Sequence, residues 1–226
     1  MHISCLSIFP ELYEWFFATS LIGKAVAAKT IWYSLINPRT FCDDPQQQID
    51  DYPYWWWAWL VLKARPMIDA LRYAIESRPS KNFEIIFLAP SQDVFTQKTA
   101  DALTSVDHLI VVSWRYEWID HRFELWAWQT YPEQFRKISL WSFVTLWGEI
   151  PSMALIEATV RLLPWVIGQE ASWQYESYRS IDWLVQLEHP HYTRPQQVAW
   201  LSVPDVLLSW NHAAIEQRRK DNATRL

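Results

Sequence analysis

The sequence predicts an α/β domain with a largely parallel sheet, followed by a small helical tail. Three observations carry this. Apolar runs such as "NFEIIFLAP" (82–90) and "DHLIVVS" (107–113) have the length of strands buried on both faces. Between them "TQKTADALTS" has helical character, as a crossover joining parallel strands requires. After Pro164 the composition turns polar, which sets a linker and a tail apart from the apolar first part.

The elements follow in chain order. "ISCLSIF" (3–9) is β-rich and stops at Pro10, where a helix begins. "ARPMIDALRYAIES" (64–77) places Ile68, Leu71 and Ile75 at helical spacing. Beyond the two apolar strands, "SFVTL" (142–146) predicts another short strand. "IPSMALIEATVRLLP" (150–164) predicts a helix with Pro151 in its first turn, where a missing N–H costs nothing. "GQEASWQYESYRS" then reads as linker, and "PQQVAWLSVPDVLLSWNHAAIEQRRKDN" as helical tail. The predicted division is residues 1–165, a linker over 166–180, and a tail domain over 181–226, with no internal repeat.

Bulk properties narrow the function classes. At 226 residues the chain holds one good core, or a larger domain and a small one. A net charge of −5 excludes a global basic field and leaves room for a local basic patch. Cys5 and Cys42 make neither a disulfide framework nor a zinc site. The six histidines show no pairwise ligand spacing, so no metal-ligand residues are predicted. The N-terminal "MHISCLSIFPELYEW" lacks the pattern of a signal peptide. The longest apolar run, over 52–62, is about half a membrane span. A soluble cytoplasmic protein without membrane contact is expected.

One stretch resists a packing explanation. "YPYWWWAWLVL" (52–62) sets Trp55, Trp56, Trp57 and Trp59 together. Neither a strand nor a helix turns three consecutive indoles toward one core. The chain has 3 Gly and 17 Trp, where average usage of about 7% Gly would give roughly 16. Turns that need positive φ are normally made by glycine, so something stands where glycines belong. Taken alone, exposed indoles would suit a stacking platform for sugars or bases.

A series of segments, in order along nearly the whole chain, resolves this. They are "SIFPELY" (7–13), "SLIGKAV" (20–26), "LINPRTF" (35–41), "DDYPY" (50–54), "RYEWIDHR" (115–122), "GEIPSMALIEATVRLLP" (148–164), "GQEAS" (168–172), "HPHYTRP" (189–195) and "VLLSWNHAAI" (206–215). Together they resemble the bacterial tRNA (guanine-N1)-methyltransferases, the TrmD family of SPOUT knotted methyltransferases. Where that family has glycine-rich loops, this chain has tryptophan at 15, 55, 56, 57, 59, 114, 118, 141, 147, 165, 183, 200 and 210. Restoring these thirteen leaves 16 Gly and 4 Trp, an ordinary composition. UGA is read as Trp in some genetic codes and as Gly in others, so these positions are expected to be UGA-glycine codons translated as tryptophan. The competing readings are an engineered substitution series or a decayed gene, though decay would scatter changes among many residue types.

The resemblance implies a trefoil knot and an S-adenosylmethionine site built from three loops. By position the cofactor residues are Leu88, Pro90 and Ser91, then Trp114, Tyr116 and Glu117. The third loop supplies Ile138, Leu140, Trp141, Ser142, Phe143, Val144, Thr145 and Leu146. Ser142 stands where the family often has Asp. If Trp114 and Trp141 are real, indoles are expected to fill the pocket, leaving a non-catalytic tRNA-binding dimer. The implied base is Glu176, in place of the family's Asp, and the implied arginine is Arg161. Glu117 and Asp120 are carboxylates that could assist Mg2+, or else a helix cap and first-turn charge. Contacts to tRNA are assigned to Ser172, His191, Tyr192, Arg194, Asn211, Arg218 and Arg219, with Lys220 beside them. The implied activity is methylation of N1 of the guanosine immediately 3′ of the anticodon, position 37, by a homodimer whose sites use both subunits. Relative to the family, the tail is expected to be shortened.

Overall fold

The computed structural model describes residues 1–54, 60–114, 118–167, 176–178, 180–181 and 184–225. The chain divides into two compact units, Met1–Gly168 and Gln169–Leu226.

A five-stranded sheet organises the first unit, in the spatial order β2-β1-β6-β5-β8. Its strands are β1 (His2–Leu6), β2 (Trp32–Ile36), β5 (Phe83–Leu88), β6 (His108–Val112) and β8 (Phe135–Ile138). Every pairing among them is parallel. β1 and β6 are buried along their whole length, and β5 over its last four residues, as continuous apolar runs predict. A smaller sheet joins β3 (Asp50–Asp51), β4 (Val61–Leu62) and β7 (Trp118–Ile119).

Helices cover both faces of the main sheet. On one side α1 (Glu11–Ala18), α2 (Ser20–Ala27) and α6 (Glu149–Val160) enclose a core that includes Tyr13, Phe17, Leu109 and Ile156. On the other, α3 (Ala64–Ser77) and α5 (His121–Thr130) close over Met67, Leu71, Phe87, Phe123 and Phe135. α4 (Gln97–Leu103) is the crossover between β5 and β6, capped by the Thr96 hydroxyl, which accepts from the Thr99 N–H. The 64–77 reading coincides with α3.

The segment 142–146 is not a strand. The fifth strand is instead Phe135–Ile138, and "SFVTL" forms a loop in which Val144 and Leu146 are each 88% exposed. An apolar run without a neighbour to pair with does not enter the sheet.

The tail is not purely helical either. The second unit holds β9 (Ser180–Ile181), β10 (Leu184–Leu187) and β13 (Thr224–Arg225) in one small sheet. A hairpin pairs β11 (Gln197–Val198) with β12 (Leu201–Ser202). Its two-residue turn is Ala199-Trp200, with Ala199 at φ 54°, the positive value such hairpins favour at their first turn position. One 3-10 turn, Asp205–Leu208, precedes α7 (His212–Asn222). Among the described residues no helix is long and apolar enough to cross a membrane.

Candidate active site

A cleft of 530 Å³ opens beyond the carboxyl ends of β5, β6 and β8, the usual ligand position of an open parallel sheet. Leu88, Ala89 and Pro90 line it from the β5 loop, and Trp114 from the β6 loop. Ile138, Leu140, Trp141, Phe143, Val144, Thr145 and Leu146 line it from the β8 loop. Ten of the expected cofactor residues therefore share one cavity. Ser91 and Ser142 line a shallower neighbouring depression with Val94 and Ser139. Tyr116 and Glu117 lie outside the described residues.

The cleft also contains residues that sequence reasoning missed. Phe87, Ile119 and the ion pair between Lys137 Nζ and Glu124 Oε2, 3.0 Å apart, complete its walls. The first turn of α6 contributes Gly148 and Pro151. Gly148 has no room for a side chain: a Cβ there would lie 2.5 Å from the Trp114 carbonyl oxygen and 2.7 Å from its nitrogen. The Gly148 N–H instead donates to that carbonyl at 3.1 Å.

Near this contact a buried polar cluster fastens two turns to α1 and α6. The Ser7 hydroxyl donates to Glu149 Oε1 at 2.5 Å, and Glu149 is fully buried at the start of α6, where free helix N–H groups attract an acidic side chain. The Tyr13 hydroxyl bonds to Ser113 Oγ at 2.6 Å and to Ser152 Oγ. Burial pushes the Tyr13 phenol well above its ordinary range, so it stays protonated as a donor. These groups fix the turns after β1 and β6 against α6, and hence the cleft floor. The sequence carried no local signal for this cluster, since Glu149 at a helix start is also the ordinary place for an acidic residue.

The indoles do not fill the cleft. Trp114 turns inward, packs 5.9 Å from the Phe87 ring and donates its indole N–H to the Leu88 carbonyl. Trp118 and Trp141 stand at the rim, both exposed. The expectation of a blocked pocket is thus corrected: the space remains, because the loops let two of the three indoles swing into solvent. What Trp114 removes is one backbone acceptor, the Leu88 carbonyl.

The remaining expected site residues fall as follows. Arg161 is the C-cap of α6 and does not line the cleft. Asp120 caps α5, accepting from the Arg122 N–H at 2.9 Å, and the Arg122 guanidinium holds its carboxyl below the usual range. That is the helix-capping role rather than a metal ligand. In the second unit Glu176 is half-buried, and Ser172 lies outside the described residues. Tyr192 is exposed, Arg194 follows it, and His191 pairs with Glu188 at 2.9 Å. Asn211 caps α7 by accepting from the Ala214 N–H at 3.1 Å. Arg218 and Lys220 sit on that helix with Arg219, whose guanidinium is 3.6 Å from Glu216.

The sequence profile of the family described as tRNA (Guanine-1)-methyltransferase TrmD matches residues 1–226. This chain belongs to that family. It is 39% identical over 228 residues to a tRNA (guanine-N(1)-)-methyltransferase of Bacillus pumilus (strain SAFR-032), covering 100% of this chain and 88% of the relative. A relative of the same name from Bacillus subtilis (strain 168) is 37% identical over 227 residues, with the same coverage. One from Dictyoglomus turgidum (strain DSM 6724 / Z-1310) is 36% identical over 223 residues, covering 99% of this chain and 85% of the relative.

Proposed function

We propose that this protein methylates N1 of the guanosine immediately 3′ of the tRNA anticodon, position 37, with S-adenosylmethionine as donor. The observation that carries the reading is the single cleft into which the β5, β6 and β8 loops bring ten of the expected cofactor residues. Its volume suits a ligand of this size. Apolar walls from Leu88, Ile138 and Leu140 suit a nucleoside ring, and backbone groups of these loops supply polar contacts. When bound, the cofactor supplies an electrophilic methyl group. The trefoil knot expected from the family is part of this proposal.

The chain's own residues have two tasks. Guanine N1 carries a proton that must leave, and negative charge then grows on O6. Glu176 is the proposed base for that proton, and Arg161 the proposed partner of the developing charge. Arg161 ends a helix whose first turn lines the cleft, so at 1.5 Å per residue it stands about 20 Å along α6 from Gly148. A residue so placed cannot serve the cleft of its own protomer, which supports a homodimer in which a partner's α6 end meets this cleft. Residues Tyr192, Arg194, Arg218 and Arg219 are the proposed grip on tRNA. Mg2+ assistance would rest on Glu117, since the Asp120 carboxylate is engaged with Arg122.

The test uses a chain with glycine at the thirteen family positions. Methyl transfer to a tRNA transcript with G at position 37, and none with A there, is the expected result. Glu176→Gln should lower transfer at least 1,000-fold, on the order of 4 kcal/mol of transition-state stabilisation, while calorimetry shows S-adenosylmethionine binding unchanged. Full activity in Glu176→Gln would move the base to another carboxylate.

A further inference from the structure

We infer that the loop between β10 and β11 carries a three-ligand site for a divalent transition metal, held by Glu188, His189 and His191. Each residue offers one ligand atom, and these atoms lie within 4.8 Å of one another. His191 Nε2 is 2.9 Å from Glu188 Oε1, and the two imidazole rings are 4.5 Å apart between centroids, at 55°. Linear spacing hid this grouping. Residues two apart in non-helical backbone point to the same side, and Pro190 between the histidines narrows the backbone angles that separate them.

The donor set selects the ion. Two imidazoles and one carboxylate suit Zn2+ and its first-row neighbours, whereas Mg2+ and Ca2+ take oxygen ligands. Bonds of about 2.0–2.2 Å place neighbouring ligand atoms of a tetrahedral centre roughly 3.3 Å apart. The Glu188–His191 pair already has nearly that separation, and the partly exposed His189 ring has only to rotate inward. Three protein ligands leave at least one position open toward solvent, where a water or a phosphate oxygen can bind. The field around the site does not oppose a cation strongly. Arg219 on α7 acts on His189, but its guanidinium is paired with Glu216, whose carboxylate acts in the opposite sense. Tyr192 and Arg194 follow directly, so a bound ion would fix the start of the segment proposed above to grip tRNA; that consequence alone rests on the proposed function.

The experiment titrates the full-length chain with Zn2+ against a chromophoric chelator, and with Co2+ followed by its visible d–d absorption. One equivalent of Zn2+ should bind, and Co2+ should develop the bands of a low-coordinate nitrogen–oxygen site. The double change His189→Gln and His191→Gln should weaken Zn2+ binding at least 100-fold and abolish those bands. Glu188→Gln should weaken it about tenfold, and His212→Gln should leave it unchanged. Far-ultraviolet circular dichroism checks that each variant is folded, and the single change His189→Gln replaces the double one if that fails to fold. No stoichiometric uptake, or uptake that survives these changes, would overturn the site and leave Glu188–His191 as a plain ion pair. Neither tRNA nor methyl donor is present, so this outcome is separate from that of the methyl-transfer assay.

Discussion

Trp126 and Trp128 on α5 live differently from the tryptophans at 118, 141, 165, 200 and 210. Trp126 is half-buried, lies under the Arg72 guanidinium at 5.0 Å and meets the Tyr131 ring edge-on at 5.7 Å. Trp128 meets Phe135 edge-on at 5.2 Å. Trp118, Trp141, Trp165, Trp200 and Trp210 are exposed, and among the described residues none of them makes an aromatic or cation–π contact. Trp165 and Trp210 also take φ of 70° and 55°, in the left-handed region that costs an L-residue about 1–2 kcal/mol. One residue type thus occupies two kinds of place. On the helix both indoles have a ring partner, although Trp128 is itself exposed, and in the second set the indoles have none among the described residues. The second set falls among the positions where the resemblance implies glycine.

The largest contrast should appear when both sets are changed to glycine. Trp126→Gly removes the Arg72 and Tyr131 contacts and puts glycine inside a helix. It should destabilise the protein by about 2–4 kcal/mol in urea unfolding. The same change at Trp118 or Trp141 should cost nothing measurable. Equal losses at all three would break the distinction and make the loop indoles part of the packing.

A second test asks whether the sheet is as settled as the loops are not. His2 and His108 face each other on β1 and β6, ring centroids 5.2 Å apart, with His2 bonded to Ser34 and His108 to Ser4. Burial, then the charge of His108, lowers the His2 pKa to about 4, and burial lowers that of His108. In the unfolded chain histidine takes its proton near 6.5. The unfolded state therefore binds more protons between these values, so stability is full above about pH 6.5 and falls as pH drops toward 4. The loss should be on the order of 2 kcal/mol, read as a falling urea midpoint between pH 7 and 4.5. His2→Asn should flatten most of that slope. An unchanged slope would place the acid sensitivity elsewhere.

How much of this was legible depends on what each segment touches. α3, α4, α6, β5 and β6 could be read because burial writes itself into apolar spacing. β2 escaped because an edge strand with one open side alternates poorly: Trp32 and Tyr33 are exposed, and only Ile36 is buried. The run 142–146 misled because its apolar residues line a cleft rather than a sheet. The Ser7–Glu149 bond joins residues 142 apart in sequence, a separation no local pattern reveals. The loops proposed to hold the cofactor were read from family resemblance alone, since the backbone contacts it implies leave no residue-type signature beyond the need for glycine.

The smallest expected effect carries the most information about the loop set. Trp165→Gly and Trp210→Gly should each stabilise the protein, by about 1 kcal/mol, because glycine relieves the left-handed backbone at no steric cost. Part of that relief is offset, since glycine also has more freedom to lose on folding. Trp200, exposed in the same degree but without a positive φ of its own, should give no gain. Backbone strain, and not mere exposure, is then what separates the sites. A gain at Trp200 equal to the other two would mean that removing any exposed indole helps, and the glycine argument would lose its physical basis. The native protein decides the matter independently. A peptide mass showing glycine at 165 and 210, with tryptophan kept at 126 and 128, would establish UGA-glycine decoding at those codons. Tryptophan found at all four would mean that the turns carry their strain as written.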